Sequence, residues 1–195
     1  LQEDEIPVME PDVVITESTS NEKDKNYLRE QRVFFRAALS EVLKEKRFQA
    51  LCRPVDPEQV PDYYDIIKAP MDIETMRAKV DEDLYPTYQA FLYDLQQIIH
   101  NAREYNPLTS KDSRGRTIVS AAHNMLDVVE SHAFGFKERL GYDVFKKCEE
   151  IHRRNDTKIE LPTDRNVMPE ENHIFYRYVL ERHEEVKAEM GDEHP

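Results

Sequence analysis

Glycine occurs only 4 times in the 195 residues and cysteine only twice, and each scarcity excludes something. With so few glycines there is no Gly-x-x-x-x-Gly-Lys-Ser/Thr loop to cradle a nucleotide phosphate, so any ATPase activity would have to lie outside this sequence. Cys52 and Cys148 stand far apart and make no metal-ligand spacing, so both read as small buried hydrophobes, reduced in an intracellular compartment. The 7 histidines contain no His-Glu-x-x-His pair, and no serine or cysteine sits in a nucleophile motif. No apolar run approaches the ~20 residues of a membrane span, and no signal-peptide pattern opens the chain. Leu1, in place of an initiator methionine, suggests a piece of a longer protein. Basic residues are also short: 27 Lys and Arg face 40 Asp and Glu, a net charge of −13. That balance argues against direct nucleic-acid binding and suits a basic protein partner, although solubility accounts for it equally well. Neither cofactor nor metal nor catalysis is expected.

What is present is a modest apolar fraction, 39%, beside 34% charged residues, which predicts a small core with polar extensions. Residues 1–25 hold eight acidic residues and two lysines and read as an acidic disordered tail or linker. Leu28, Phe35, Leu39 and Val42, widened by Phe34 and Ala38, predict a first helix over residues 26–46. Asp72 reads as the N-cap of a short helix with Ile73, Met76 and Val80 inward. Tyr88, Phe91, Leu92, Leu95, Ile98, Ile99 and Ala102 form a third stripe, ended by Asn106-Pro107 because the residue before proline disfavours helix. Ile118, Ala121, Ala122, Met125, Val129 and His132 mark a fourth, reaching about residue 133. These elements set a domain over residues 26–135. A further helix within 136–154 uses Val144, Phe145, Cys148 and Ile151. Residues 155–195 read as a linker and a last helix with Phe175, Tyr178, Val179, Val186 and Met190 on one side.

Between the first two helices lie about 25 residues with Pro54, Pro57, Pro61 and Pro70 and no sustained period. Loops of such length inside a domain are functional or disordered. Phe48, Leu51, Val55, Val60, Tyr63, Tyr64, Ile66 and Ile67 need burial, so an ordered loop that walls a pocket is the better reading. Taken singly, Tyr63 is an ordinary loop tyrosine and Asn106 an ordinary helix terminator.

Jointly, the run Pro61-Asp62-Tyr63-Tyr64-Asp65-Ile66-Ile67-Lys68-Ala69-Pro70-Met71-Asp72 and the run Asn101-Ala102-Arg103-Glu104-Tyr105-Asn106-Pro107, with helices around them, resemble a bromodomain. The resemblance covers residues 26–154. It implies an all-α, left-handed four-helix bundle with a long loop between the first two helices and extra C-terminal helices. Arg47-Phe48, Arg53-Pro54-Val55-Asp56-Pro57, Val60-Pro61-Asp62-Tyr63, Glu104-Tyr105-Asn106-Pro107 and Cys148-Glu149-Glu150-Ile151 are similar to the type attached to AAA+ ATPases, the nuclear coregulators of chromatin.

Acetylation converts an ammonium into a small neutral amide with one carbonyl. A reader needs a donor for that carbonyl, an apolar socket for the methyl, and an enclosure where a bare ammonium loses hydration without finding acceptors. The resemblance implies that Asn106 donates to the carbonyl and that Tyr63 reaches it through water. It makes Leu51, Val55, Val60, Ala102 and Tyr105 the walls and Ile118 the residue flanking the mouth, with Tyr64 and Ile67 anchoring the loop. The implied partners are acetylated histone tails, of histone H4 by the subgroup, with no membrane, a nuclear location and an oligomeric ATPase in the parent chain. The sequence departs from the family at the shelf beside the pocket, Gln49-Ala50-Leu51, and has no tryptophan to enlarge it. Lys111, Arg114 and Arg116 are expected either to repel a basic peptide or to pair with Asp56, Glu58 and Asp62. The alternative reading is a helical interaction scaffold with weak or lost acetyl-lysine binding.

Overall fold

The computed structural model describes residues 12–107 and 111–190, with side chains from residue 21 onward. Helix α1 spans Asp12–Lys44, with no proline or glycine in between to stop it. It begins well before the expected residue 26, and residues 1–11 of the expected tail lie outside the described residues. The early part of the helix has tertiary partners that polarity alone conceals. Arg154 donates to both carboxylate oxygens of Asp24 at 3.0 Å. The rings of Tyr27 and Tyr142 meet edge to face at 5.5 Å.

The loop after α1 is ordered through short helical turns: a 3-10 turn at Lys46–Phe48, α2 at Gln49–Cys52 and α3 at Tyr63–Ile66. Phe48, Leu51 and Ile67 are buried, but Ile66 is exposed, against expectation. Helix α4, Ile73–Asp81, is capped by the Asp72 carboxylate, which accepts from the Thr75 backbone amide at 3.0 Å. Helix α5, Tyr88–Tyr105, ends with Asn106 as its C-cap. Helix α6, Ser113–Leu140, passes the expected end near residue 133 and stops only at Gly141, whose φ of 77° closes it in a left-handed cap. Its inward line runs through Val119, Ala122, Met125, Val129 and Ala133, and His132 is exposed instead.

Helices α1, α4, α5 and α6 form the bundle around one apolar cluster. Phe35 stacks on Phe91 at 4.3 Å within it. Helix α7, Val144–Arg154, lies on α1 and buries Val144, Phe145, Cys148 and Ile151 as expected. Phe145 stacks on Tyr88 at 4.3 Å. Both thiols are buried and free, and desolvation pushes them up, Cys52 to about 11 and Cys148 to about 12, which keeps them protonated and unreactive.

The segment after α7 returns along the bundle. Arg165 donates to the Tyr93 carbonyl at 2.7 Å and lies 3.8 Å over the Tyr93 ring. Helix α8, Glu170–Met190, then packs on α4. Its inward residues are Asn172, Tyr176 and Val179, while Tyr178, Val186 and Met190 are exposed. Of the expected apolar side, Val179 is buried and Phe175 half-buried, while the other three residues are turned outward. The reason is that the surface α8 covers is polar. Lys79, 3% exposed on α4, donates to Asp94 at 2.7 Å and to the Asn172 side-chain carbonyl, and Tyr85 donates to the same carboxylate at 2.6 Å.

Candidate functional site

Two segments meet at one end of the bundle: the loop carrying α3 and the C-terminus of α5, which pack on one another. α5 terminates because Pro107 follows, and that places Asn106 at the end of the helix with φ −120° and ψ 69°. Its backbone and side-chain amides both donate to the Ala102 carbonyl, each at 3.0 Å. One proton of the carboxamide nitrogen is thus engaged, which fixes the group and leaves the other proton for a further acceptor. Gly115, buried in the first turn of α6, closes the other side. A Cβ there would come within 2.8 Å of the Asn106 Oδ1 and 3.1 Å of its Cβ.

Tyr63 is half-buried, its ring 5.1 Å from that of Tyr105 and 5.3 Å from that of Tyr64. Among the described residues the Tyr63 hydroxyl has no hydrogen-bond partner. Burial, with the neighbouring Tyr64, Asp72 and Tyr105 adding to it, raises Tyr63 well above the ordinary phenol range, so its hydroxyl stays a neutral donor. Tyr105 donates to Asp62 at 2.7 Å, tying the end of α5 to the loop.

Leu51 and Ala102 are buried in the common apolar cluster, and Ile118 is partly buried against it. On α6 it is Gly115, three residues earlier, that contacts Asn106. Val55 and Val60 are half-buried. The Val55 carbonyl accepts from the Tyr64 hydroxyl at 2.5 Å, and the Val60 amide donates to the Asp56 carbonyl at 3.0 Å. At the shelf, Gln49 folds back to the Leu43 carbonyl at 3.1 Å, Ala50 is exposed and only Leu51 turns inward. The expected alternatives for the basic residues are narrowed. Asp56 pairs with Lys187 at 2.5 Å and Asp62 accepts from Tyr105, and among the described residues neither forms an ion pair with Lys111, Arg114 or Arg116.

Sequence reasoning missed Gly115, Tyr176, Lys187 and the buried carboxamide of Asn101, which donates to the Ala69 carbonyl at 2.8 Å and fixes the loop to α5. Asn101 did carry a signal, a polar residue beside the apolar stripe of α5. The long-range partners of α8 carried none. Two open grooves of about 390 and 450 Å³ run along α6 past Arg47, and neither is lined by Asn106 or Tyr63.

The Asn106 carboxamide thus keeps one donor proton and the Tyr63 hydroxyl is free to donate, both at the end of the bundle where α3 packs on α5. The family model described as Bromodomain matches residues 35–114. ATPase family AAA domain-containing protein 2 of Mus musculus is 35% identical over 156 residues, covering 77% of this chain and 14% of the relative. ATPase family AAA domain-containing protein 2B of Homo sapiens is 39% identical over 134 residues, covering 69% and 9%. Histone acetyltransferase GCN5 of Debaryomyces hansenii is 42% identical over 73 residues, covering 37% and 16%. The chain thus spans 14% or less of the first two relatives' length. A solved structure, the bromodomain from human BAZ1A, is similar at 26% identity and a TM-score of 0.46, covering 53% of this chain and 91% of that one. Residues 35–114 of this chain are a bromodomain, a module of the chromatin acetyl-lysine reader family.

Proposed function

We propose that this chain binds acetylated histone tails, those of histone H4 in particular, with Asn106 donating to the acetyl carbonyl and Tyr63 reaching the same oxygen through water. Leu51, Val55, Val60, Ala102 and Tyr105 are the walls, and Ile118 flanks the mouth. The observation that supports this most is the Asn106 carboxamide, held by the Ala102 carbonyl on one side and by Gly115 on the other, with one amide proton left for a ligand. Similarity to proteins named for an AAA ATPase domain supports a role in bringing a larger, nuclear ATPase to chromatin. The small shelf offers little apolar contact, at about 25 cal/mol per Å², so a single peptide binds at about micromolar affinity or weaker, and linked contacts supply the rest.

Titrating H4 tail peptides, acetylated and unmodified, against the labelled chain while following the Tyr63 and Asn106 resonances tests the reading. Binding of the acetylated form alone is expected, lost by about tenfold or more in Asn106→Ala. Equal response to both peptides, or an unaffected Asn106→Ala, would reject it.

A further inference from the structure

Helix α8 lies outside the matched module, yet besides the contacts of Glu171 and Asn172 with the Lys79–Asp94 pair, three of its side chains reach residues that carry or lead to the proposed pocket wall. Tyr176, 6% exposed, meets the hydroxyl of Tyr64. Because the Tyr64 hydroxyl donates to the Val55 carbonyl at 2.5 Å, its oxygen is left to accept from Tyr176. One turn from the end of α8, Lys187 donates to the Asp56 carboxylate. That carboxylate also accepts from the Glu58 amide at 2.9 Å, and the Asp56 carbonyl accepts from Gln59 and Val60 at 3.2 and 3.0 Å. Between these two, His183 meets Glu74, whose other oxygen pairs with Arg53 at 3.5 Å. Residues 53, 55 and 56 are thus each held, directly or through one side chain, by the same helix.

We infer that α8 is a clamp that sets the acetyl-lysine pocket wall, with Tyr176 as a positioning residue acting through Tyr64 on Val55 and Lys187 acting through Asp56 on the turn that bears Val60. This rests on the reading of Asn106 and Tyr63 as an acetyl-lysine pocket. A loop already held in its binding conformation loses less freedom when the ligand arrives, so the clamp raises affinity without touching the ligand. The connection is also short. Tyr176 reaches the Val55 carbonyl through one phenol, and a chain of two hydroxyl donors polarises along its length.

The discriminating change is the loss of one oxygen. In Tyr176→Phe the ring packing against Tyr64, at 6.2 Å between centroids, is kept and only the donor disappears. Amide hydrogen exchange in the free chain is expected to accelerate at Gln59 and Val60 by about threefold to tenfold, while buried α5 amides do not change. Affinity for the capped amino acid Nε-acetyl-lysine, too small to contact α8 itself, is expected to fall by a similar factor with the melting temperature nearly constant. Lys187→Ala should show the same pattern at about twofold, and Lys187→Arg should restore it. Unchanged exchange at Gln59 and Val60 overturns the clamp, whatever the ligand does. Accelerated exchange with unchanged affinity, in a wild-type chain that binds, overturns the positioning role and leaves the reader intact. Failure of the wild-type chain to bind acetyl-lysine rejects the reader, and the positioning role with it.

Discussion

Gly115 is the residue whose identity is most tightly bound to the proposed chemistry. It lies inside the first turns of α6, where alanine would ordinarily favour the helix by about 1 kcal/mol. A Cβ there would meet the Oδ1, Cβ and Cγ of Asn106 at 2.8, 3.1 and 3.2 Å, so the whole carboxamide would have to swing, not only its tip. Gly115→Ala is therefore expected to melt at or near the wild-type temperature while binding acetyl-lysine peptide about tenfold or more weakly. Parallel melting curves and peptide titrations measure both, and an alanine variant that binds like wild type would show that Asn106 need not occupy this position. The two residues are nine apart in the chain, and no composition or periodicity links them. Asn106 was visible because it sits in a run that resembles a family. Gly115 became visible only when α6 was laid against the end of α5.

At the level of whole helices, legibility followed where each helix found its partners. The apolar stripe of α5 gave its position, because its period reports burial directly, and Asn106-Pro107 gave its end. The polar side of the same helix was hidden. Asp94, Gln97 and Asn101 are buried against Lys79, Arg165 and Ala69, whose separations of 15 to 68 residues leave no local pattern. For α8 the apolar residues misdirected the reading in part: Val179 is buried, but the helix docks mainly through Asn172, Tyr176, His183 and Lys187. The N-cap of α4 was legible as a helix start but not in its consequence. Asp72 is 2% exposed, and burial raises its carboxyl to about 7, against the pull of hydrogen bonds from Thr75. In the unfolded chain it ionises near 3.8. Over that interval the folded state keeps a proton that the unfolded state has released. The associated stability is fully present below the lower value and is lost as pH rises through the upper one. Asp72→Asn keeps an acceptor for the Thr75 amide and carries no charge at any pH. Its melting temperature relative to wild type should therefore climb from pH 4 to pH 7 and level off above. A difference that stays flat over this range would mean that Asp72 ionises normally in the folded chain.

Across the whole molecule, α8 is held unevenly. The bundle and α7 share one apolar cluster, whereas α8 buries only Asn172, Tyr176 and Val179. A helix with so little apolar burial belongs at the low end of local stability, and its docking depends on the polar cluster under its first turn. There the Lys79 ammonium, between Asp94 and the Tyr85 ring at 4.6 Å, is completed by the Asn172 carbonyl, while the Asn172 amide donates to Asp94 at 3.3 Å. Asn172→Ala removes the helix's share of the cluster and leaves the Lys79–Asp94 pair in place. A hydrogen bond to a buried charge contributes about 2 kcal/mol, or roughly thirtyfold in a local opening equilibrium. Amides of residues 173–186 should then exchange about thirtyfold faster, while those of Leu95, Ile98 and Ile99 in α5 keep their wild-type rates. If both sets accelerate together, α8 unfolds as one unit with the bundle, and Asn172 stabilises the entire chain. If only α8 responds, the molecule consists of a self-sufficient bundle and a separately held helix, which is the arrangement that lets α8 set the pocket wall without being required for the bundle to fold.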